Sequence, residues 1–274
     1  MKKRENNVTK PKKHKLSRIS TLHYIKFVLR SCMMLTVMVM YIIAKVNGQP
    51  FTLDTMDTGS LIVLGVIGLY FAVEMILRFF PSKLESMGCQ KQFAKNFQPT
   101  GKTLGVDVKK PSCVPVLITL AFWVLLNGTF GVAYYLHLID DGILMILSLA
   151  YSICDMICIL FFCPFQSWIM KNKCCSTCRI YNWDFAMMFT PMLFLPGIYT
   201  WTLLGLSLAL VSYWEIAYLL HPERFLESTN ACMSCKNCPE KLCQHKPQLR
   251  RFLARNRKKL NLKDNAAVGS GSEK

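Results

Sequence analysis

Long apolar runs alternate with short polar connections along most of the chain. The first run, residues 22–46, contains "FVLRSCMMLTVMVMYIIA", and others cover 60–80, 114–138 and 142–165. A bilayer core of about 30 Å is crossed by about 20 apolar residues in a helix, so each run predicts one crossing. The stretch 183–220 is less regular, too long for one ordinary span and short for two. Within it "FLPGIYTW" places Pro196 and Gly197 together ahead of Tyr199 and Trp201. Pro-Gly interrupts a helix, while Tyr and Trp favour the membrane interface. The pattern predicts a short fifth span, 183–196, a turn, and a sixth span, 200–220. The alternative is five spans, the last preceded by an interfacial or re-entrant helix.

Charge chooses between these layouts. Residues 1–30 hold ten Lys/Arg against Glu5 alone, 81–113 hold six Lys, "KNKCCSTCR" adds three basic residues, and the chain from 221 onward has twelve. The connections "NGQPFTLDTMDTGS" and "IDDG" contain Asp54, Asp57, Asp140 and Asp141 and no Lys or Arg. Basic loops stay in the cytoplasm, so both termini are expected there. That requires an even number of crossings and favours six. The expectation is an all-α, multi-pass protein of the cytoplasmic membrane. It comprises a basic arm (1–21), a helical bundle (22–220) and a cysteine-rich, basic tail (221–274). The first span reads as a retained signal anchor, since no small-residue cleavage site follows it.

Composition fits that layout: 52% of residues are hydrophobic, yet the formal net charge is +17. The expected partners of this charge are anionic lipid headgroups, together with other membrane proteins. "LRRFLARNRKKLNL" has the spacing of a basic amphipathic helix lying on the bilayer. No nucleic-acid-binding module accompanies the charge, so no nucleic acid is expected.

The thirteen cysteines are distributed unevenly. "CMSCKNCPEKLC" holds Cys232, Cys235, Cys238 and Cys243, and "KCCSTC" holds Cys174, Cys175 and Cys178. Both groups fall on the expected cytoplasmic side, where thiols stay reduced and clustered cysteines serve metals or redox chemistry. The tail spacing C-x2-C-x2-C-x4-C places thiolates close enough to share one ion. Zinc and iron–sulfur clusters are the candidate cofactors. The run resembles the cysteine run of bacterial ferredoxins. It differs in its last gap of four residues and in Pro239, which follows the third cysteine. Cys174, Cys175, Cys178 and His245 are further candidate ligands.

Ionisable residues inside spans are costly and mark function or pairing. Glu74 and Arg78 sit four apart on the second span, which predicts an intrahelical pair with a snorkelling arginine. Asp155 has no local partner on the fourth span, and Glu215 lies near His221 on the last. Asp155 and Glu215 are the candidates for a proton, cation or quinone role. No hydrolase, metalloprotease or nucleotide-binding motif occurs, so enzymatic activity, if present, would be that of a redox subunit. Three functions follow as expectations. The first is a multi-pass membrane protein with a cytoplasmic cysteine metal module. The second is a small cation transporter using the intramembrane acids and cysteines. The third is an electron-transfer subunit with an iron–sulfur centre.

Overall fold

A computed structural model describes residues 18–53, 55–81, 90–102, 105, 107–108, 111–171 and 178–234. Its helices are α1 (Arg18–Val46), α2 (Thr58–Leu77), α3 (Val114–Tyr135), α4 (Asp141–Leu160), α5 (Asp184–Phe189) and α6 (Ile198–Leu220). Among the described residues, all of these except α5 are long and apolar enough to cross a membrane. The described chain has no strand; Pro99 and Asn230 form one isolated antiparallel bridge.

Two of the acidic residues start helices. The Asp57 carboxylate accepts from the Ser60 backbone N–H at the start of α2, and the Asp140 carboxylate accepts from that of Ile143 at the start of α4. A side-chain oxygen there satisfies an otherwise unbonded N–H and sits at the positive end of the helix dipole. Both caps lie at one end of the bundle, called here the acidic end. The opposite, basic end carries the first residues of α1 and α3 and the last of α2, α4 and α6.

Side chains are distributed inside out relative to a soluble bundle. Ile25, Ile42, Ile62, Leu69, Leu125 and Leu219 are exposed, whereas Arg30, Glu74 and Arg78 are buried. An apolar exterior around a polar interior suits lipid as the surrounding solvent. The core is built from Phe71 and Met75 of α2, Leu144 and Leu149 of α4, Phe185 and Phe189 of α5, and Leu210 and Trp214 of α6.

The region expected as a short fifth span is a broken passage. α5 ends at Phe189, and Thr190–Phe194 continues as a 3-10 helix. Pro191 supplies no N–H to a continuing α-helix, and the Thr190 hydroxyl caps back onto the Ala186 carbonyl. At 1.5 Å per α residue and about 2 Å per 3-10 residue, this passage spans only about 19 Å. It still connects the two ends. Asp184 bonds Arg78 at the end of α2, and Phe194 packs on Tyr135 at the end of α3. Its side chains Phe185, Met188, Phe189, Met192 and Leu195 are buried among the other helices, where irregular backbone is tolerated. Two glycines permit the fit. A Cβ on Gly131 would meet the Phe194 ring at 2.4 Å, and one on Gly68 would meet Tyr199 at 2.5 Å. Bulk at either position would push the passage or the start of α6 off the bundle.

Candidate functional site

The basic half of the bundle contains a balanced cluster of six charges. Lys26 and Arg30 share a face of α1, being four residues apart. Glu74 and Arg78 do the same near the end of α2. Asp155 comes from the second half of α4, and Asp184 opens α5. Arg30, with a side chain 1% exposed, is the hub. Its Nη2 donates to Glu74 Oε2 at 2.8 Å, and its Nη1 donates to Asp155 Oδ2 at 3.2 Å and to the Ser152 carbonyl at 3.0 Å. Glu74 Oε1 accepts from Lys26 at 2.8 Å and from the Tyr70 hydroxyl at 2.9 Å. Arg78 grips Asp184 through both terminal nitrogens, at 2.7 and 2.6 Å. The Phe185 ring lies beneath both guanidiniums, 4.6 Å from Arg78 and 5.9 Å from Arg30. Aromatic faces attract such cations most where water is excluded.

This geometry corrects the expected pairing on α2. Glu74 and Arg78 do share a face, but that face turns inward and each finds a different partner. Glu74 is bonded to Lys26 and Arg30, and Arg78 is buried against Asp184 rather than snorkelling. Asp155, without a partner on its own helix, is met by Arg30 from α1. Glu215 belongs to a separate pair at the basic end of α6. Arg179 bonds both its oxygens, Trp183 Nε1 donates to Oε1 at 2.6 Å, and Arg179 lies 3.6 Å from the Tyr218 ring centroid. His221 pairs instead with Glu223.

Beside the cluster is a cavity of about 470 Å³, walled by α3, α4 and α5 and closed at the basic end by the π-helical turn Phe165–Ile169. Ligand sites commonly occupy about 300–1,000 Å³. Asp155 and Asp184 border it, as do Cys154, Cys158, Cys163 and Cys178. Asp155 has a side chain 16% exposed, and that exposure faces the cavity. α3 reaches the bundle here mainly through the turns at 165–169 and 190–194, which leaves room between α3 and α4. Phe122 and Ile157 line the cavity while 51% and 38% exposed, so it opens sideways onto the apolar outer surface. Trp123 and Tyr151 pack at a tilt of 54° with ring centroids 4.7 Å apart, and Phe165 meets Trp123 edge-on at 6.3 Å. Tyr151 Oη is buried and has no hydrogen-bond partner.

The cysteine groups are only partly described. Cys235, Cys238, Cys243, Cys174, Cys175 and His245 lie outside the described residues. Cys178 is buried, and Cys232 is half-buried in the 3-10 turn Ala231–Met233. Residues 91–98 tie the two segments together. Asn182 Nδ2 donates to Gln92 Oε1 at 2.6 Å. Asn230 Nδ2 donates to the Lys91 carbonyl at 3.0 Å, and the Ala231 N–H donates to the Gln98 carbonyl at 2.7 Å. Among the described residues, no three His, Cys, Asp or Glu side chains are grouped to hold a metal ion.

The sequence reading missed Lys26, Arg30 and Asp184 as site residues. Lys26 and Arg30 enter it only through the charge count of residues 1–30, although both fall inside the first apolar run, 22–46, which was the available signal. Asp184 lies at the edge of an ambiguous segment and gave none. No family model matches the sequence, and no curated protein or solved structure matches it significantly.

Proposed function

We propose that this chain is a six-crossing membrane protein that admits a small amphipathic molecule from the bilayer into the cavity between α3, α4 and α5. One observation carries the reading. The cavity opens laterally on an apolar surface, and its inner wall presents Asp155 and Asp184, each held in place by a buried arginine. A charge-locked wall gives such a pocket a fixed polar end, and the lateral opening admits an apolar body. Six crossings follow if the short passage 184–194 counts as the fifth. Both termini then lie with the basic loops in the cytoplasm. Glu215 is not among the residues lining the cavity, so a cation path through both acids has less support than ligand binding.

The test is direct. The full-length protein in mild detergent should bind a fluorescent single-chain amphiphile, and Met187→Trp, which adds bulk at a partly buried position on the cavity wall, should abolish binding while the helical circular dichroism persists. Unchanged binding in that variant would remove the proposal. Sidedness is tested separately. Cys113, exposed at the basic end, should resist an impermeant maleimide on intact cells and react once the membrane is opened.

A second reading concerns the cysteines. Residues 91–98 hold the segments bearing Cys178 and Cys232 at the same end of the bundle. This supports a metal module, zinc or iron–sulfur, drawing on Cys232, Cys235, Cys238 and Cys243 with help from the 174–178 group. Anaerobic purification with metal and sulfide analysis tests it. Protein free of zinc, iron and sulfide would end that reading without touching the cavity.

A further inference from the structure

Resting on the cavity reading, we infer that the occupant is an amphiphile with a primary-amine head, bound as the ammonium against Asp155. The sign of the head follows from what lines the cavity. Asp155 and Asp184 border it, and among the described residues no Lys, Arg or His does. Their partners Arg30 and Arg78 are not lining side chains, so each ion pair turns its carboxylate toward the cavity. In an apolar enclosure such charge is weakly screened, and it attracts a cation and repels an anion. A phosphate or carboxylate head would meet the two aspartates first.

The two carboxylates are not equally neutralised. Asp184 receives both terminal nitrogens of Arg78, one on each oxygen, at 2.7 and 2.6 Å. Asp155 receives one contact from Arg30, on Oδ2 at 3.2 Å. Arg30 is divided further: the same Nη1 serves the Ser152 carbonyl at 3.0 Å, and Nη2 is closer to Glu74, at 2.8 Å. Among the described residues no donor reaches Asp155 Oδ1. That oxygen is not shut off by its neighbours, and the exposed part of the side chain faces the cavity. A carboxylate oxygen only accepts, so what it lacks is an N–H donor. A primary ammonium brings three donors on a compact charged head, whereas a quaternary ammonium brings none. The lateral opening past Phe122 and Ile157 lets the alkyl tail remain in lipid while the head meets Asp155.

The experiment measures competition against an uncharged fluorescent amphiphile on full-length protein in non-ionic detergent. The competitors share a dodecyl chain and differ in the head: dodecylamine, dodecanol, dodecyltrimethylammonium and dodecanoate. Mildly alkaline pH keeps the amine cationic and the carboxylate anionic. Dodecylamine should compete about tenfold better than dodecanol or more, the worth of a hydrogen bond to a charged group. The quaternary salt should be weaker than the amine, and dodecanoate weakest. Asp155→Asn is the discriminating variant. It keeps an acceptor for Arg30 and removes the charge, so competition by the amine should fall to the level of the alcohol, which is itself unmoved. An aspartate that serves only to hold Arg30 would lower stability on substitution and leave the amine-to-alcohol ratio unchanged, which overturns the inference. If the variant does not fold, seen as loss of helical circular dichroism, the order of the four heads on the native protein decides. Equal competition by all heads, a quaternary salt equal to the amine, or dodecanoate ahead of it overturns the amine inference and leaves the cavity reading standing. Failure of every amphiphile to bind overturns both.

Discussion

The two ends of the bundle hold similar ion pairs in opposite surroundings. At the acidic end Lys45 reaches Asp140 at 2.6 Å, with side chains 54% and 35% exposed. In the basic half Arg30 reaches Glu74 at 2.8 Å, with side chains 1% and 7% exposed. The acidic-end contact is the shorter, yet the buried one organises the fold. Exposed pairs gain little because solvent screens them and long side chains lose freedom. A buried pair costs heavily to desolvate, and removing one partner strands the other in a medium that cannot solvate it. Three cations therefore face three carboxylates inside the bundle, and Arg30 joins α1, α2 and α4 at one point.

The largest expected effect comes from Arg30→Ala, which takes the cation from Asp155 and leaves Glu74 with Lys26 and the Tyr70 hydroxyl alone. It should cost about 3–5 kcal/mol, seen as an early unfolding transition in detergent and poor recovery of folded protein. Arg30→Lys should fall short of rescue, because a single ammonium cannot reproduce the fork that reaches Glu74, Asp155 and the Ser152 carbonyl together. Rescue by lysine would mean that charge alone, without geometry, holds the helices.

An intermediate case sharpens the contrast. Arg179 and Glu215 have side chains 21% and 28% exposed, between the two extremes. Glu215→Gln keeps the Trp183 bond and loses a charge-assisted one, so about 1 kcal/mol of destabilisation is expected. A loss as large as that of Arg30→Ala would break the link between burial and effect.

The smallest effects belong to the acidic end. Lys45→Ala should leave the unfolding transition where it is. The Asp140 carboxyl is partly desolvated, which would raise its pKa, but the bonds from Lys45, the Ile143 N–H and Tyr41 together hold it below the usual aspartate value. Its stabilising contribution is therefore complete above about pH 4 and fades as pH falls through the lowered value. Asp140→Asn should flatten that small acid dependence, measured as the transition midpoint from pH 6 down to 3. An equally steep acid dependence in the variant would show that Asp140 is not its source.

The helices were legible because each rests on a local pattern. The runs at 60–80 and 142–165 appear as α2 and α4, ending a few residues earlier, at Leu77 and Leu160. There Arg78 turns to Asp184, and Phe161 begins the irregular approach to Pro164. The segment 183–196 was legible as abnormal from Pro196 and Gly197. Its break at Thr190 and its course through the core depend on Gly131 receiving Phe194, a contact between residues 63 positions apart. The site was half legible. Asp155 was singled out as an acid without a local partner, and its partner is 125 residues away.

By itself the sequence determined the elements and their polarity. Apolar runs of span length make helices whose outer surfaces suit lipid, and the uneven placement of Lys, Arg and Asp separates the two ends. Only the tertiary structure decided which buried charges meet. Helical periodicity tells which residues share a face, as with Glu74 and Arg78, but not which neighbouring helix that face will touch. The same limit hid the cavity. It arises because α3 meets the bundle mainly through two short turns, leaving Tyr151 and Asp155 on a wall that no local pattern announces.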